Sequence, residues 1–552
     1  MKYSTKMLLA SISAIAYLSA CSTKQLNKNE IGEFNMDNRD QIRKLKAEVK
    51  NILENSHQAS GSNFSQITEM TAIELAMSIR DKKLTSEVVT AAFLSRALDL
   101  NPSYNAIVTY NFEALTQARA ADIAVAKGEV LGSLQGVPFT IKDTFSTKGL
   151  RSTAGSEDLK DYVPESNAIV VQRLLDAGGI LMGKTNTPAR AMDVQTTNKI
   201  FGTTENALRK GFTAGGSSGG PAVAVAKRFT PFDIGSDIAG SIRIPAAFNG
   251  IYGFRPTFGY LSLKGHIPPG PNEINGIRRM AVPGPLAHSI EDIQFLLPLL
   301  AGPGKGDYRA VPMLPLSQPE PQVGKLRIAW TDHFGNVTAD ESTRKAISGL
   351  IDRLSTAGAN VAKAEPQDFP YEKAWETWGA ILGHQSGYDK SNFVRWIGDL
   401  FTRGAVADSP TQRKIVGPIS VPTYMENLRV QDDCINQLES FLEPYDVWIV
   451  PVAATTAFPH TTPDRYFGEF PVYDRPIMVD NRPLPYWVAT LSFTTIFSLT
   501  ESPVMTIPIG KDKQGLPIGV QIIGKRFSDL QLLRIAKLID QSAKLRDHNL
   551  AP

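Results

Sequence analysis

From Thr68 onward, stretches with apolar residues at helical spacing alternate with short apolar runs bounded by glycine, proline and polar residues. This pattern predicts helices interleaved with buried strands. Thr71-Ala-Ile-Glu74 is a capping box opening a helix. Ser86 to Leu100 reads as a second helix, stopped by Pro102, and Glu113 to Lys127 as a third, ending at Gly128. Further helices are predicted over Ala168–Ala177 and Asp529–Lys544. Strands are predicted at Ala106–Tyr110, Val137–Lys142, Ile180–Met182, Leu326–Trp330, Val447–Pro451, Val504–Pro508 and Ile518–Ile523. In Val137–Lys142 the twofold period sets Val137, Phe139 and Ile141 on one face, with Thr140 and Lys142 on the other. The alternation predicts an α/β fold: one large mixed, mostly parallel β-sheet covered by helices. The Pro-rich stretch Val311–Pro321 is the best candidate boundary and reads as a long surface loop, so residues 66–545 are expected to form one domain.

Two segments precede that domain. Lys2 and Lys6 open the chain, and Met7 to Leu18 is mostly apolar. A dozen residues is short of the roughly 20 that span a bilayer. A charged start, a short apolar run and small residues at its end describe a secretory signal over residues 1–20. Leu18-Ser19-Ala20-Cys21 resembles the bacterial lipobox. That resemblance implies lipid on Cys21, attachment to a membrane, and a location on the periplasmic side of the outer membrane or on the cell surface, with Ser22 favouring the outer membrane. Residues 21–65 read as a tether plus one helix, in which Ile42, Leu45, Val49, Ile52 and Leu53 recur at helical spacing. Its partner is either the main domain or a second copy of the chain, which leaves a homodimer open.

The 552 residues carry a net charge of +3, from 58 basic against 55 acidic, so nothing points to nucleic acid. Apart from Cys21 there is one cysteine, Cys434, read as a lone thiol suited to an oxidising compartment. The seven histidines form no metal-ligand pattern, and no cofactor is expected. Gly178 to Thr185 matches the phosphate-loop pattern GxxxxGK[ST] letter for letter. The context is wrong: a helix precedes Gly178, and Ile180-Leu-Met182 fills the supposed loop with strand-forming residues. Gly178 and Gly179 read instead as the end of a helix.

The candidate chemistry lies in residues 213–247. Gly215-Gly-Ser-Ser-Gly-Gly220 runs into an alanine-valine helix with Pro221 in its first turn. Ser217 and Ser218 thus sit near a helix N-terminus, where orphan amides favour negative charge. A tight turn follows at Asp237-Ile-Ala-Gly-Ser241. Ala239 and Gly240 are small enough to admit a substrate to the backbone. The amides of Ile238, Ala239, Gly240 and Ser241 are candidates to hold one developing oxyanion. Taken alone, each stretch is also compatible with an ordinary capped loop or turn.

Their company changes the weighing. Gly136-Val-Pro-Phe-Thr-Ile-Lys142-Asp143, the Gly/Ser loop with its helix, and Ser236-Asp-Ile-Ala-Gly-Ser-Ile-Arg-Ile-Pro245 resemble, in order and spacing, the three core motifs of the amidase signature family. Gly183-Lys-Thr-Asn186, Phe201 to Asn206 and Gly515 to Gly524 add supporting matches. The resemblance implies amide hydrolysis by a Ser–Ser–Lys triad without histidine: Ser241 as nucleophile, Ser217 as bridge through a cis Gly216–Ser217 bond, and Lys142 as base. Asp237 and Arg243 are assigned a supporting role that shapes the turn, and Ser218 supports the loop. Ala239 stands where many members have glycine, Pro221 and Ala222 replace the commoner Ser-Ala, and Ala207 replaces a frequent proline. Two other readings compete: a tRNA-dependent amidotransferase subunit, which the export signal opposes, and a non-catalytic lipoprotein binding amides or peptides, which the intact triad opposes. The substrate is expected to be a small-molecule or peptide amide. Phe393, Trp396, Leu400 and Phe401, with Tyr486, Trp487, Phe493 and Phe497, are aromatic and apolar candidates for the pocket, most of them core.

Overall fold

A computed structural model describes residues 39–60, 64–267, 277–304, 306–387, 390–402, 414–415 and 417–545. Residues 1–20, read from the sequence as an export signal, and Cys21 lie outside them. The strands of the sheet are β1 (Ile107–Tyr110), β2 (Pro138–Lys142), β3 (Ile180–Thr185), β4 (Phe232–Asp237), β5 (Tyr252–Arg255), β6 (Val282–Ala287), β7 (Arg327–Trp330), β8 (Asn360–Lys363), β9 (Val447–Pro451), β10 (Val504–Lys511) and β11 (Pro517–Ile523), most of them buried. They pair into one eleven-stranded sheet in the order β1-β3-β2-β4-β6-β5-β10-β11-β9-β7-β8.

The sheet is mixed, as expected, but not mostly parallel. Four pairings are parallel and six antiparallel. The parallel blocks, β3-β2-β4 and β9-β7-β8, are those whose strands are joined through helices, the crossover that parallel pairing requires. Between them, β10 and β11 are joined by the tight turn Asp512–Leu516, with Gly515 at φ 81°. That turn allows only antiparallel pairing.

The N-terminal helix α1 (Arg39–Ser60) buries Leu45 and Val49 in the main core, with Ile42, Ile52 and Leu53 packed at its edge. It lies against α2 (Ser86–Leu100), whose N-cap Thr85 accepts from the Val88 amide. The apolar stripe read from the sequence is therefore covered by this same chain. The Thr71 capping box is formed, both reciprocal hydrogen bonds being present. Residues 311–321 are irregular and lie along helix Asp529–Ser542, where Arg534 pairs with Glu320 at 3.0 Å.

The phosphate-loop match dissolves in this frame. Helix α3 (Ile169–Asp176) ends before Gly178, which has φ 85°, and Ile180–Thr185 is a buried strand rather than a loop. The Lys184 amine is spent on the Phe145 carbonyl and on the hydroxyls of Thr147 and Ser152, at 3.0 Å each for the last two.

Candidate active site

Lys142 ends β2, and its side chain is fully buried. Parallel pairing with β4, Ile141 opposite Ile234, brings it beside Ser236 and Asp237 at the end of that strand. Its Nζ is 2.7 Å from the Ser217 Oγ and 3.0 Å from the Ser236 Oγ. Burial drives the amine down from its ordinary value to about 7, against the opposing pull of Asp237 and Asp233. Desolvation wins because neither carboxylate touches it: Asp233 accepts from Thr140 at 2.6 Å and Thr185 at 3.0 Å, and Asp237 is held elsewhere. A substantial share of Lys142 is therefore neutral near pH 7.

Ser217 lies in the loop before α4 (Gly219–Ala226), and the Gly216–Ser217 peptide is cis. Glycine is required next to it: a Cβ on Gly216 would sit 2.6 Å from the Asp193 carbonyl. Ser218 is the N-cap residue of α4, and its hydroxyl faces the backbone of Ser236, 3.3 Å from the carbonyl and 3.4 Å from the amide. The loop is thus laced to the end of β4.

Ser241 follows the turn that leaves β4 and precedes α5 (Arg243–Asn249). Its carbonyl accepts from the Ser218 amide at 3.1 Å, which docks the turn on the loop carrying Ser217. The residue is 8% exposed. Among the described residues its hydroxyl has no hydrogen-bond partner, so the structure brings Lys142 and Ser217 into contact and leaves the Ser241 Oγ open.

The turn itself is wound around Asp237. One carboxylate oxygen accepts from the Gly240 amide at 2.9 Å and the other from the Ile242 amide at 3.0 Å. Arg243 closes a two-point pair on the same carboxylate, at 2.8 and 3.0 Å, and Arg255 stands 3.7 Å away. Burial pushes this carboxyl up, but Arg243 and then Arg255 outweigh it and hold it well below the usual carboxylate range. Arg243 is satisfied further by the Thr494 carbonyl, the Gln521 side chain and the Ser498 hydroxyl, at 2.8, 2.8 and 2.9 Å. Two helices brace the outside of the turn. Trp378 of α6 (Tyr371–Ser386) donates to the Ile238 carbonyl at 2.9 Å, and Thr494 of α7 (Tyr486–Leu499) donates to the Ala239 carbonyl at 2.6 Å. Gly240 has φ 111°, and a Cβ there would fall 2.6 Å from the Thr494 hydroxyl. Ala239 is not in the left-handed region, so its methyl is carried without strain.

Four amides of this turn, those of Ile238, Ala239, Gly240 and Ser241, are expected from the sequence to face the oxyanion. Gly240 is already committed to Asp237, and three remain: the amides of Ile238, Ala239 and Ser241 have no protein acceptor among the described residues. The aromatic candidates divide. Tyr486, Phe493 and Phe497 are buried core, Trp487 is half-buried, and Phe393 and Trp396 are exposed and stacked on each other at 6.3 Å. Of the side chains of Leu400 and Phe401 nothing is described. Two residues near Lys142 escaped the sequence reading. Ser236 holds its amine, and the His266 Nε2 lies 3.0 Å from the Ser236 Oγ. Ser236 stood inside a matched motif without a distinguishing signal, and His266 belongs to no motif at all.

The amidase family model matches residues 88–533. An acylamidase of Rhodococcus erythropolis is 32% identical over 479 residues, covering 85% of this chain and 94% of the relative. A glutamyl-tRNA(Gln) amidotransferase subunit of Acidothermus cellulolyticus is 32% identical over 508 residues, covering 87% and 96%. Among solved structures, an amidase crystal structure superposes with a TM-score of 0.68 at 26% identity, covering 86% of this chain and 99% of that one. With the match running from α2 into the last helix and across every residue of the site, the chain belongs to the amidase signature family.

Proposed function

We propose that this protein is an amidase that hydrolyses a carboxylic or peptide amide to the acid and ammonia or an amine, through an acyl intermediate on Ser241. The observation that carries the reading is the fully buried Lys142 amine, whose burial favours the neutral form, 2.7 Å from the Ser217 hydroxyl. A serine hydroxyl needs a base to attack an amide. Neutral Lys142 accepts the Ser217 proton as Ser217 accepts that of Ser241, and the Ser241 Oγ bonds to the carbonyl carbon. The negative charge formed on the carbonyl oxygen is met by the amides of Ile238, Ala239 and Ser241. Ser217 then returns a proton to the departing nitrogen, the C–N bond breaks, and water repeats the cycle on the ester. Esters, with easier leaving groups, are expected to be cleaved as well. Asp237 and Arg243 support the reaction by fixing the turn that presents Ser241.

The base form of Lys142 is the active one, which fixes the sign of the pH dependence. With its amine at about 7, kcat/KM is expected to rise with pH through that value and level off above it. At pH 5 the rate should be at least about a hundredfold below the plateau. A flat profile between pH 5 and 8 would remove Lys142 from the proton path. Screening a panel of apolar, aryl and peptide amides, with Ser241→Ala as control, identifies the substrate class.

The amidotransferase relative is equally similar. The export pattern from Lys2 to Cys21 favours a lipid-anchored hydrolase instead. In a bacterial host, the wild-type chain is expected in the membrane fraction and Cys21→Ala in the soluble fraction. Equal partition of the two counts against the anchor and leaves the chemistry untouched.

A further inference from the structure

Ser236 stands between two nitrogens. Its Oγ is 3.0 Å from the Lys142 Nζ on one side and 3.0 Å from the His266 Nε2 on the other. A hydroxyl has one proton to give and two lone pairs. A neutral amine has two protons and a single lone pair, and in the proposed function, on which this inference rests, that lone pair must face Ser217. One arrangement satisfies all four groups: Lys142 donates an N–H to Ser236, Ser236 donates its O–H to His266, and the amine lone pair is left for Ser217. It requires His266 to accept at Nε2, hence a neutral ring protonated at Nδ1. With Nε2 protonated, as the other tautomer or as imidazolium, the ring donates to Ser236. Ser236 then either accepts from both nitrogens, which leaves its own O–H without an acceptor, or turns its proton onto Lys142 and occupies the lone pair.

We propose that His266 is a positioning residue of the proton path, acting through Ser236 to orient the lone pair of Lys142. The fold holds it there from both sides. Phe145 and His266 form an antiparallel bridge with their rings edge to face at 5.2 Å. The Ile267 amide donates to the Thr144 carbonyl at 2.7 Å, and the Ser146 amide to the Gly265 carbonyl at 2.8 Å. The segment that carries the imidazole is thus laced to the segment that leaves Lys142. Among the described residues, the charged groups around this chain of bonds include Lys142 and Asp143 at the end of β2, Arg151 acting on Asp143, Lys184 on β3, and Asp233 and Asp237 on β4. Lys264, on the segment of His266, donates instead to the Gly306 carbonyl at 2.8 Å. Lys184 and Asp143 are 3.8 Å apart and balance each other, and Asp237 is taken by Arg243. Protonation of His266 therefore places a cation two hydrogen bonds from the base.

The test compares wild type, His266→Ala, His266→Gln and Lys142→Ala on the fastest amide of a panel of acyl p-nitroanilides. Glutamine carries an acceptor near the position of Nε2 and does not titrate. His266→Ala is expected to lower kcat about tenfold with KM nearly unchanged, the loss of one orienting hydrogen bond. His266→Gln should restore most of kcat. Its acid limb should be first order in protons where the wild type is steeper, because two groups must lose protons in the wild type and one in the variant. Wild-type kcat and an unchanged acid limb in both His266 variants, with Lys142→Ala inactive, would overturn the role of His266 and leave Lys142 as base. An active Lys142→Ala would overturn both. If alanine at 266 prevents folding, the slope of the acid limb in His266→Gln decides alone: first order supports the proposal, and the wild-type slope overturns it.

Discussion

Replacing Ser241 by alanine is expected to lower amide turnover by about 10⁴-fold or more, with the fold intact. The hydroxyl makes no hydrogen bond among the described residues, and the residue is 8% exposed. Its removal therefore disturbs little packing, and thermal unfolding should hardly move. Lys142→Ala and Ser217→Ala are each expected to cost about a thousandfold or more, by removing the base and the bridge between base and nucleophile. Because the three act as one unit, the triple variant should be scarcely worse than Ser241→Ala alone. Initial rates and melting curves on the four variants check this pattern. Losses that multiply from variant to variant would mean that the three residues do not share one step.

The second large effect is on stability. Asp237→Ala is expected to destabilise the fold by about 3–5 kcal/mol, the usual penalty for stranding a buried charge. Arg243 and Arg255 are both fully buried against that carboxylate. Removing it also strips the acceptor from the Gly240 and Ile242 amides, so the turn that presents Ser241 loosens and activity falls with stability. Denaturant unfolding of the variant measures the first effect, and kcat below its midpoint the second. Since the folded carboxyl lies below its unfolded value, this contribution is in full force above about pH 4. It fades only as pH falls toward the depressed folded value. The contribution of Asp237 should hold through mildly acidic pH, where activity is already failing for want of neutral Lys142. A variant as stable as wild type would show that the arginines find other partners.

Most of the sheet was legible in the chain, but β4, β6 and β5 at its centre and the edge strand β8 were not. β2, β3, β7, β9, β10 and β11 follow apolar runs, and each was expected within a few residues of where it lies. β6 reads Val-Pro-Gly-Pro-Leu-Ala, and two prolines and a glycine erase the signal of a strand. The glycine is there because the Phe254 carbonyl crosses so closely that a Cβ on Gly284 would sit 2.1 Å from it. β4 is hidden differently. Asp233, Ser236 and Asp237 are polar yet buried, each with partners that local sequence cannot announce. The same holds for the site. Lys142, Ser217 and Ser241 were singled out by motif order and spacing. That Gly240 is spent on Asp237, and that Ser236 and His266 stand behind Lys142, depends on contacts between segments remote in sequence.

In the proposed reaction Ser241 is the nucleophile that Lys142 activates through Ser217. A fluorophosphonate probe tests it most directly, because it phosphonylates an activated serine and leaves a mass that peptide mapping can place. One adduct per chain is expected, on Ser241, forming faster as pH rises through about 7 and absent from Ser241→Ala. Labelling of another residue, or an unreactive Ser241 in folded protein above that pH, would contradict it.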